Sequence, residues 1–121
     1  MHLVISNKSN QPIYEQLYDQ IVSQIVNGEL AVGFCLPSIR TVAKEIGVSI
    51  ITIKKAWEML EKNGFIDTIP GKDCFVKAKQ GLSIDEQKRA LAIEKLQEHL
   101  QYYKNLGLTV DEIMEILKKE F

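Results

Sequence analysis

Residues 37–64 read PSIRTVAKEIGVSIITIKKAWEMLEKNG and predict two short helices joined by a tight turn. Apolar residues recur at helical spacing in both halves, and a serine that can cap a helix precedes each half, at Ser38 and Ser49. Gly47 stands between them, where a helix ends in a left-handed residue. Two helices joined by such a turn form a helix-turn-helix, whose second helix can lie in the major groove of DNA.

The second predicted helix has a face suited to DNA. Its apolar stripe comprises Ile53, Ala56, Trp57 and Leu60. At 100° per residue, Ile51, Lys54 and Lys55 point away from that stripe. Together with Ile50 and Thr52 they occupy the first two turns, where a recognition helix touches base edges. The alternative is an ordinary solvated face with two solubilising lysines, and the spacing alone favours that alternative.

The flanking segments complete a recognisable order of elements. Pro12 begins a predicted helix that ends near Gly28, and Val32–Leu36 can form a short strand. After the helix pair, residues 65–69 and 74–77 read as two strands joined by a turn at Pro70-Gly71. This order predicts a mostly helical α+β fold, a winged helix-turn-helix over residues 12–79, preceded by an arm at residues 1–11.

The composition is that of an ordinary soluble protein, with 45% hydrophobic and 26% charged residues in 121. Neither a run of eighteen apolar residues nor a secretion signal is found, so we expect no membrane span and a cytoplasmic location. The two cysteines, Cys35 and Cys74, fit a reducing compartment. They are interpreted as two ordinary buried thiols; a redox-sensing pair on adjacent strands is the alternative.

The distribution of charge is more informative than the formal net charge of −1. Residues 36–79 contain eight basic and five acidic side chains, a balance of +3. Residues 80–121 contain six basic and eight acidic side chains, a balance of −2. The middle of the chain is therefore the part expected to face phosphates.

The last segment, residues 82–121, predicts two amphipathic helices. Ser83 with Glu86 and Thr109 with Glu112 have the spacing of capping boxes. Two helices of this size cannot bury their own apolar residues, so we expect them to pack on a second copy of the chain. The residues predicted to form this dimer contact are Leu91, Leu96, Leu100, Tyr103, Ile113, Met114 and Leu117.

Several short motifs, at a specific spacing, carry a family resemblance. They are Gly28-Glu29-Leu30, Gly33, Leu36-Pro37-Ser38-Ile39-Arg40, Val48-Ser49, Thr52, Gly64-Phe65-Ile66, Gly71 and Phe75-Val76. Over residues 12–77 the chain resembles the N-terminal DNA-binding domain of GntR-type bacterial transcription regulators. Its short helical tail resembles that of the YtrA-like subfamily, which implies a role in dimerisation.

The resemblance also implies which residues meet DNA. By position these are Arg40, the start of the recognition helix, and the tip of the wing, which enters the minor groove. The full predicted DNA-binding set is Ser38, Arg40, Ser49, Ile50, Ile51, Thr52, Lys54, Lys55, Gly71 and Lys72. Two positions depart from the family pattern, because Ile50 stands where arginine is frequent and Asp73 where a second wing glycine is frequent. Ile50 cannot donate to guanine but can pack against thymine methyl groups.

These observations predict a dimeric transcription regulator, a repressor that binds an inverted-repeat operator on double-stranded DNA. No glycine-rich phosphate loop, metal-ligand spacing or nucleophile motif is present in the sequence, so we expect no enzyme activity, no metal and no cofactor. The sequence assigns no small-molecule effector. The alternative function is that of a winged-helix protein-interaction module that does not bind DNA.

Overall fold

The computed structural model describes residues 1–70, 73–77 and 83–121. These residues divide into two compact units, Met1–Leu82 and Ser83–Phe121. The predicted boundaries at residues 79 and 82 fall between the described ranges. The elements within those ranges are α1 (Ile13–Val26), α2 (Ile39–Ile46), α3 (Ile50–Lys62), β1 (Ile66–Thr68), β2 (Cys74–Val76), α4 (Ile84–Asn105) and α5 (Val110–Glu120).

The first unit is built on the packing of α1 against α3, with α2 and β1 also against α3. Its largest fully buried side chains are Leu17, Ile21, Val42, Ile53, Leu60 and Ile66. Trp57 is 4% exposed, which confirms its predicted place in the apolar stripe of the second helix of the pair. The edge of the Tyr18 ring meets the Phe65 ring, with centroids 6.2 Å apart. One apolar core therefore fixes the position of α3.

The turn between α2 and α3 forms as the sequence predicts. Gly47 has a φ of 71°, and its N–H donates to the carbonyl of Ala43 at 3.0 Å. The N–H of Val48 donates to the same carbonyl at 3.1 Å, so the chain reverses within two residues. A side chain at Gly47 would be strained at this φ. The turn thus sets the angle at which α3 leaves α2.

The two strands form a short antiparallel hairpin, in which Ile66 pairs with Val76 and Thr68 with Cys74. The predicted third strand, Val32–Leu36, is reduced to a single bridge between Cys35 and Phe75. The φ of Gly33 is 88°, which interrupts the extended backbone, and the ring of Pro37 removes the next N–H donor. The expectation of a strand there was wrong in length, although the segment does lie beside β2.

The environments of the two cysteines differ from the expectation of two buried thiols. Cys35 is exposed and Cys74 is half-buried, and both are free thiols. The pKa of the Cys35 thiol is raised, first by desolvation, then by the charge of Asp73 and a hydrogen bond with it, and last by Cys74. The raised pKa lowers the fraction of Cys35 present as thiolate, which is the reactive form.

The N-terminal arm docks along α1 through three glutamines, Gln16, Gln20 and Gln24, which we call the glutamine ladder. The Gln20 amide accepts from the N–H of Val4 at 2.8 Å and donates to its carbonyl at 2.5 Å. Gln16 bonds Ser6 in the same two ways, at 2.9 and 3.0 Å. Gln24 donates to the carbonyl of residue 2 at 2.6 Å. The three glutamines thus bind alternate residues of an extended segment, one residue each.

Gln16 is the central anchor of this arrangement. It is 7% exposed and donates a further hydrogen bond, at 2.8 Å, to the carbonyl of Gln11. A buried polar group requires hydrogen-bond partners, and the arm supplies them from its backbone. The arm is therefore an ordered part of the first unit rather than a loose extension.

The second unit contains α4 and α5. The capping box at Thr109 is complete, with hydrogen bonds in both directions between Thr109 and Glu112. At Ser83 the hydroxyl accepts from the N–H of Glu86, which is the first half of the predicted box. Neither helix has a buried residue. No helix in the described part of the chain is long and apolar enough to cross a membrane.

Candidate nucleic-acid interface

The exposed face of α3 begins at its first turn. Ile51 is 78% exposed, and Ile50, Lys54 and Lys55 are exposed with it, while Thr52 is half-buried. The same helix buries its opposite stripe, so this face is turned away from the core. The first two turns therefore present two apolar side chains followed by two cations.

Serine hydroxyls cap both helices of the motif in the same way. The Ser38 hydroxyl accepts from the N–H of Thr41 at 3.1 Å and shares a 2.7 Å hydrogen bond with its hydroxyl. Ser49 makes the equivalent contacts with Thr52, at 3.2 and 2.8 Å. Each hydroxyl pair keeps spare donor and acceptor capacity after these bonds. The positive ends of two helix dipoles are thus placed next to hydroxyl groups, an arrangement that favours an anion.

Two of the predicted cations are available for an external partner. Arg40 and Lys54 are exposed, and neither forms an ion pair with any residue in the described ranges. In the described part of the chain, Arg40 does not pair with Glu45 on the same helix. Arg40 stands in the first turn of α2, where the helix dipole disfavours a cation. No contact within the described ranges offsets this cost.

Lys55 is placed differently from Lys54. Its Nζ lies 3.9 Å from the centroid of the Tyr14 ring, over the face of a residue on α1. Such a cation–π contact is worth roughly 0.5–1 kcal/mol at an exposed site. Lys55 must leave this contact to reach a ligand that faces Lys54. The helical spacing of the sequence places both lysines on the outer face but does not distinguish them.

The wing is described up to its tip. The N–H of Ile69 donates to the carbonyl of Asp73 at 3.3 Å and closes the hairpin. The predicted contact residues Gly71 and Lys72 lie outside the described residues. The Asp73 carboxylate interacts with the Cys35 thiol. Asp73, which stands where the family frequently has a glycine, therefore has a partner within the protein for its carboxylate.

Two features of this surface were missed in the sequence. The contact of Lys55 with Tyr14, a half-buried residue of α1, was not predicted. The glutamine ladder was also missed, although glutamine at three successive i, i+4 positions is a readable signal for one polar stripe on a helix. Within the described ranges, no group of three or more His, Cys, Asp or Glu side chains could hold a metal ion.

Comparison with known proteins places this geometry in a family. Residues 13–76 match the model of the gntR family of bacterial regulatory proteins. The chain is 36% identical over 111 residues to YhcF of Bacillus subtilis strain 168, an uncharacterized HTH-type transcriptional regulator, with 92% of this chain and 91% of YhcF covered. It is 28% identical over 115 residues to the HTH-type transcriptional repressor YtrA of the same organism, with 95% and 88% covered.

A solved structure extends the comparison to DNA. AraR(DBD) in complex with operator ORX1 is 25% identical, with a TM-score of 0.55, over 63% of this chain and 95% of that one. The match to YtrA over most of both chains confirms the predicted resemblance to the YtrA-like subfamily. The family model covers more than half of the chain, and YhcF exceeds 30% identity over nearly all of it. The chain therefore belongs to the gntR family of bacterial regulatory proteins.

Proposed function

We propose that this member of the family is a cytoplasmic, sequence-specific DNA-binding repressor that acts as a homodimer on an inverted-repeat operator. The observation that carries the proposal is the outer face of α3. Its first two turns hold exposed Ile51 and exposed Lys54, which forms no ion pair in the described part of the chain. A recognition helix reads base edges with those turns. The operator complex of AraR(DBD) and the name of the YtrA repressor support the proposal.

Phosphate contacts are assigned to groups that flank this face. Arg40 is exposed at the start of α2, two residues after the capping Ser38, and pairs with no residue of the described ranges. Contacts of this kind fix the register of a protein on the duplex, whereas base contacts give sequence specificity. Gly71 and Lys72 remain predicted contacts of the wing, and Lys55 would join them after leaving Tyr14.

The apolar side of α5 supports the dimer. Val110, Ile113, Met114 and Leu117 lie within about 100° of one another round the helix axis, on one stripe. Three of them are exposed and Ile113 is half-buried. Burying a side chain of this size is worth roughly 1.5–3 kcal/mol, so a stripe of four favours a partner.

The predicted contacts on α4 are more dispersed than expected. Leu91 lies about 140° round the helix axis from Leu96, so the apolar residues of α4 occupy two faces rather than one strip. Leu100 and Tyr103 lie on the side of Leu96 and are half-buried. A single flat dimer contact cannot cover both faces. We therefore assign the central dimer contact to α5, with the Leu96 side of α4 contributing to it.

A salt titration tests DNA binding against the protein-interaction alternative. The full chain is titrated into fluorescent random-sequence duplex DNA at several salt concentrations between about 50 and 200 mM. If each half of a dimer neutralises several phosphates, affinity should fall by orders of magnitude over this range. A purely protein-binding module would show no such binding at the lowest salt, and that result would exclude the proposed function.

Light scattering tests the dimer independently of DNA. We expect the full chain to have twice the 13.8 kDa mass of one chain. Leu117→Glu should shift that mass towards one chain, since it places a charge in the proposed contact. Lys119→Glu, two residues away, is the matched control and should remain dimeric. A full chain that is monomeric at micromolar concentration would remove dimerisation from the proposal.

A further inference from the structure

The recognition helix α3 begins with two exposed isoleucines, which is an unusual use of this residue. Ile51 is 78% exposed and Ile50 is 43% exposed. Ile51 therefore gains little from burial, Ile50 is partly covered, and isoleucine has a lower helix propensity than alanine. Neither side chain therefore contributes to the stability of the fold in the way that the neighbouring buried Ile53 does. An external contact gives these two side chains a function that the fold does not.

These side chains are also rigid and close to a cation. A β-branched residue in a helix has one strongly preferred χ1 rotamer, so Ile51 loses little side-chain freedom when it forms a contact. Lys54 follows Ile51 by three residues and Ile50 by four, which places all three on neighbouring positions of the helix surface. An apolar group and a charge thus reach the same region of a ligand together.

DNA offers one apolar group in its major groove. The 5-methyl group of thymine is exposed there, whereas guanine, adenine and cytosine present polar donors and acceptors. Covering such a polar edge with isoleucine would leave it without a hydrogen bond, which is costly. On the basis of the proposed function, we infer that Ile51, flanked by Ile50, reads the 5-methyl group of a pyrimidine in each operator half-site.

This contact predicts a particular sensitivity to the base. Uracil differs from thymine by the missing methyl group and keeps the same base pairing. Loss of one buried carbon should weaken binding about fourfold in one half-site, and about fifteenfold when both half-sites are changed. A 5-methylcytosine carries the same group, so methylating a cytosine at the contacted position should strengthen binding by a similar factor.

The test begins with duplexes that the full chain selects from a random pool. Each thymine of the best duplex is replaced by uracil in turn, and affinity is measured by fluorescence anisotropy. We expect one symmetric pair of thymines to show the loss. Ile51→Ala should abolish the difference between thymine and uracil at that pair. Val4→Ala removes another exposed apolar side chain, 60% exposed, from the arm and should keep the full difference.

The results separate this inference from the proposed function. A chain that enriches no duplex from the pool would overturn both. A chain that binds its selected duplex with no sensitivity to uracil would overturn the inference and leave the proposed function standing. Equal sensitivity to uracil in the wild type and in Ile51→Ala would assign the methyl contact to another residue and would also overturn the inference. Cytosine and 5-methylcytosine, compared at the same pair, distinguish a methyl contact from a requirement for thymine.

Discussion

Replacing Arg40 and Lys54 by alanine, singly and together, should weaken DNA binding without weakening the fold. Both side chains are exposed and neither forms an ion pair in the described ranges, so the change removes no ion pair among those residues. Alanine has the highest helix propensity, and loss of a cation from the first turn of α2 relieves an unfavourable dipole interaction. We expect the free energy of unfolding to change by less than about 0.5 kcal/mol.

The size of the binding loss depends on what each side chain contacts. A base contact costs about 1–3 kcal/mol, and a dimer uses each residue twice, so the loss is about 2–6 kcal/mol for two half-sites. This corresponds to a loss of affinity between about 30-fold and about 2 × 10⁴-fold, confined to the preferred sequence. A phosphate contact instead lowers affinity for all sequences and reduces the salt slope by about 0.9 per half-site.

Anisotropy titrations with a selected duplex and a random duplex, at salt concentrations from about 50 to 200 mM, distinguish these cases. Urea unfolding of each variant is measured in parallel. Lys119→Ala is the control, because it removes one positive charge from α5, where Lys119 lies 3.9 Å from Glu115. Wild-type affinity and salt slope in the Arg40→Ala, Lys54→Ala double variant would refute the assignment of this face to DNA.

Three further changes test the fold and the chemistry around this face. Trp57→Ala should cost about 3–5 kcal/mol in urea unfolding, because it removes a buried aromatic side chain, and a loss below about 1 kcal/mol would contradict its place in the core. Gln16→Ala removes three hydrogen bonds to the arm and should lower the free energy of unfolding by about 2–4 kcal/mol. Hydrogen exchange at the Ser6 amide should become faster, and unchanged exchange would show that the arm is held by other contacts. Asp73→Asn should lower the raised pKa of Cys35, so that more thiolate is present at pH 7–8. Alkylation of Cys35, measured in a Cys74→Ser background, should then be faster than with Asp73 in place. An equal rate of alkylation would mean that desolvation alone raises the pKa.

The sequence predicted most of the first unit because its signals are local. Ser38, Gly47 and Ser49 specify caps and a turn within a few residues, and the apolar period on α3 identifies its buried side. The outward positions of Ile51 and Lys54 follow from the same period. These parts of the candidate site require no knowledge of neighbouring elements.

The remaining features depend on which segments meet in space. Whether Lys55 is free or lies over Tyr14 is decided by the packing of α1 on α3, which no local pattern encodes. The shortening of the strand at Val32–Leu36 depends on the conformation of Gly33, which could equally have been a bulge within a strand. Cys35 lies in the same segment and is exposed. The local periodicity of the sequence does not predict these features.

The glutamine ladder also acts as a ruler for the arm. Four residues of helix advance about 6.0 Å, whereas two residues of strand advance about 6.4–6.8 Å, so the two repeats slip by roughly 0.4–0.8 Å at each rung. Flexible amide side chains can absorb this slip over three rungs, and the next positions in the series, Pro12 and Gly28, carry no amide. The register of the arm on α1 therefore depends on whether an odd or an even number of residues is inserted into it. One residue inserted between Val4 and Ser6 would turn the backbone groups that precede it away from Gln20 and Gln24, and a second insertion would turn them back.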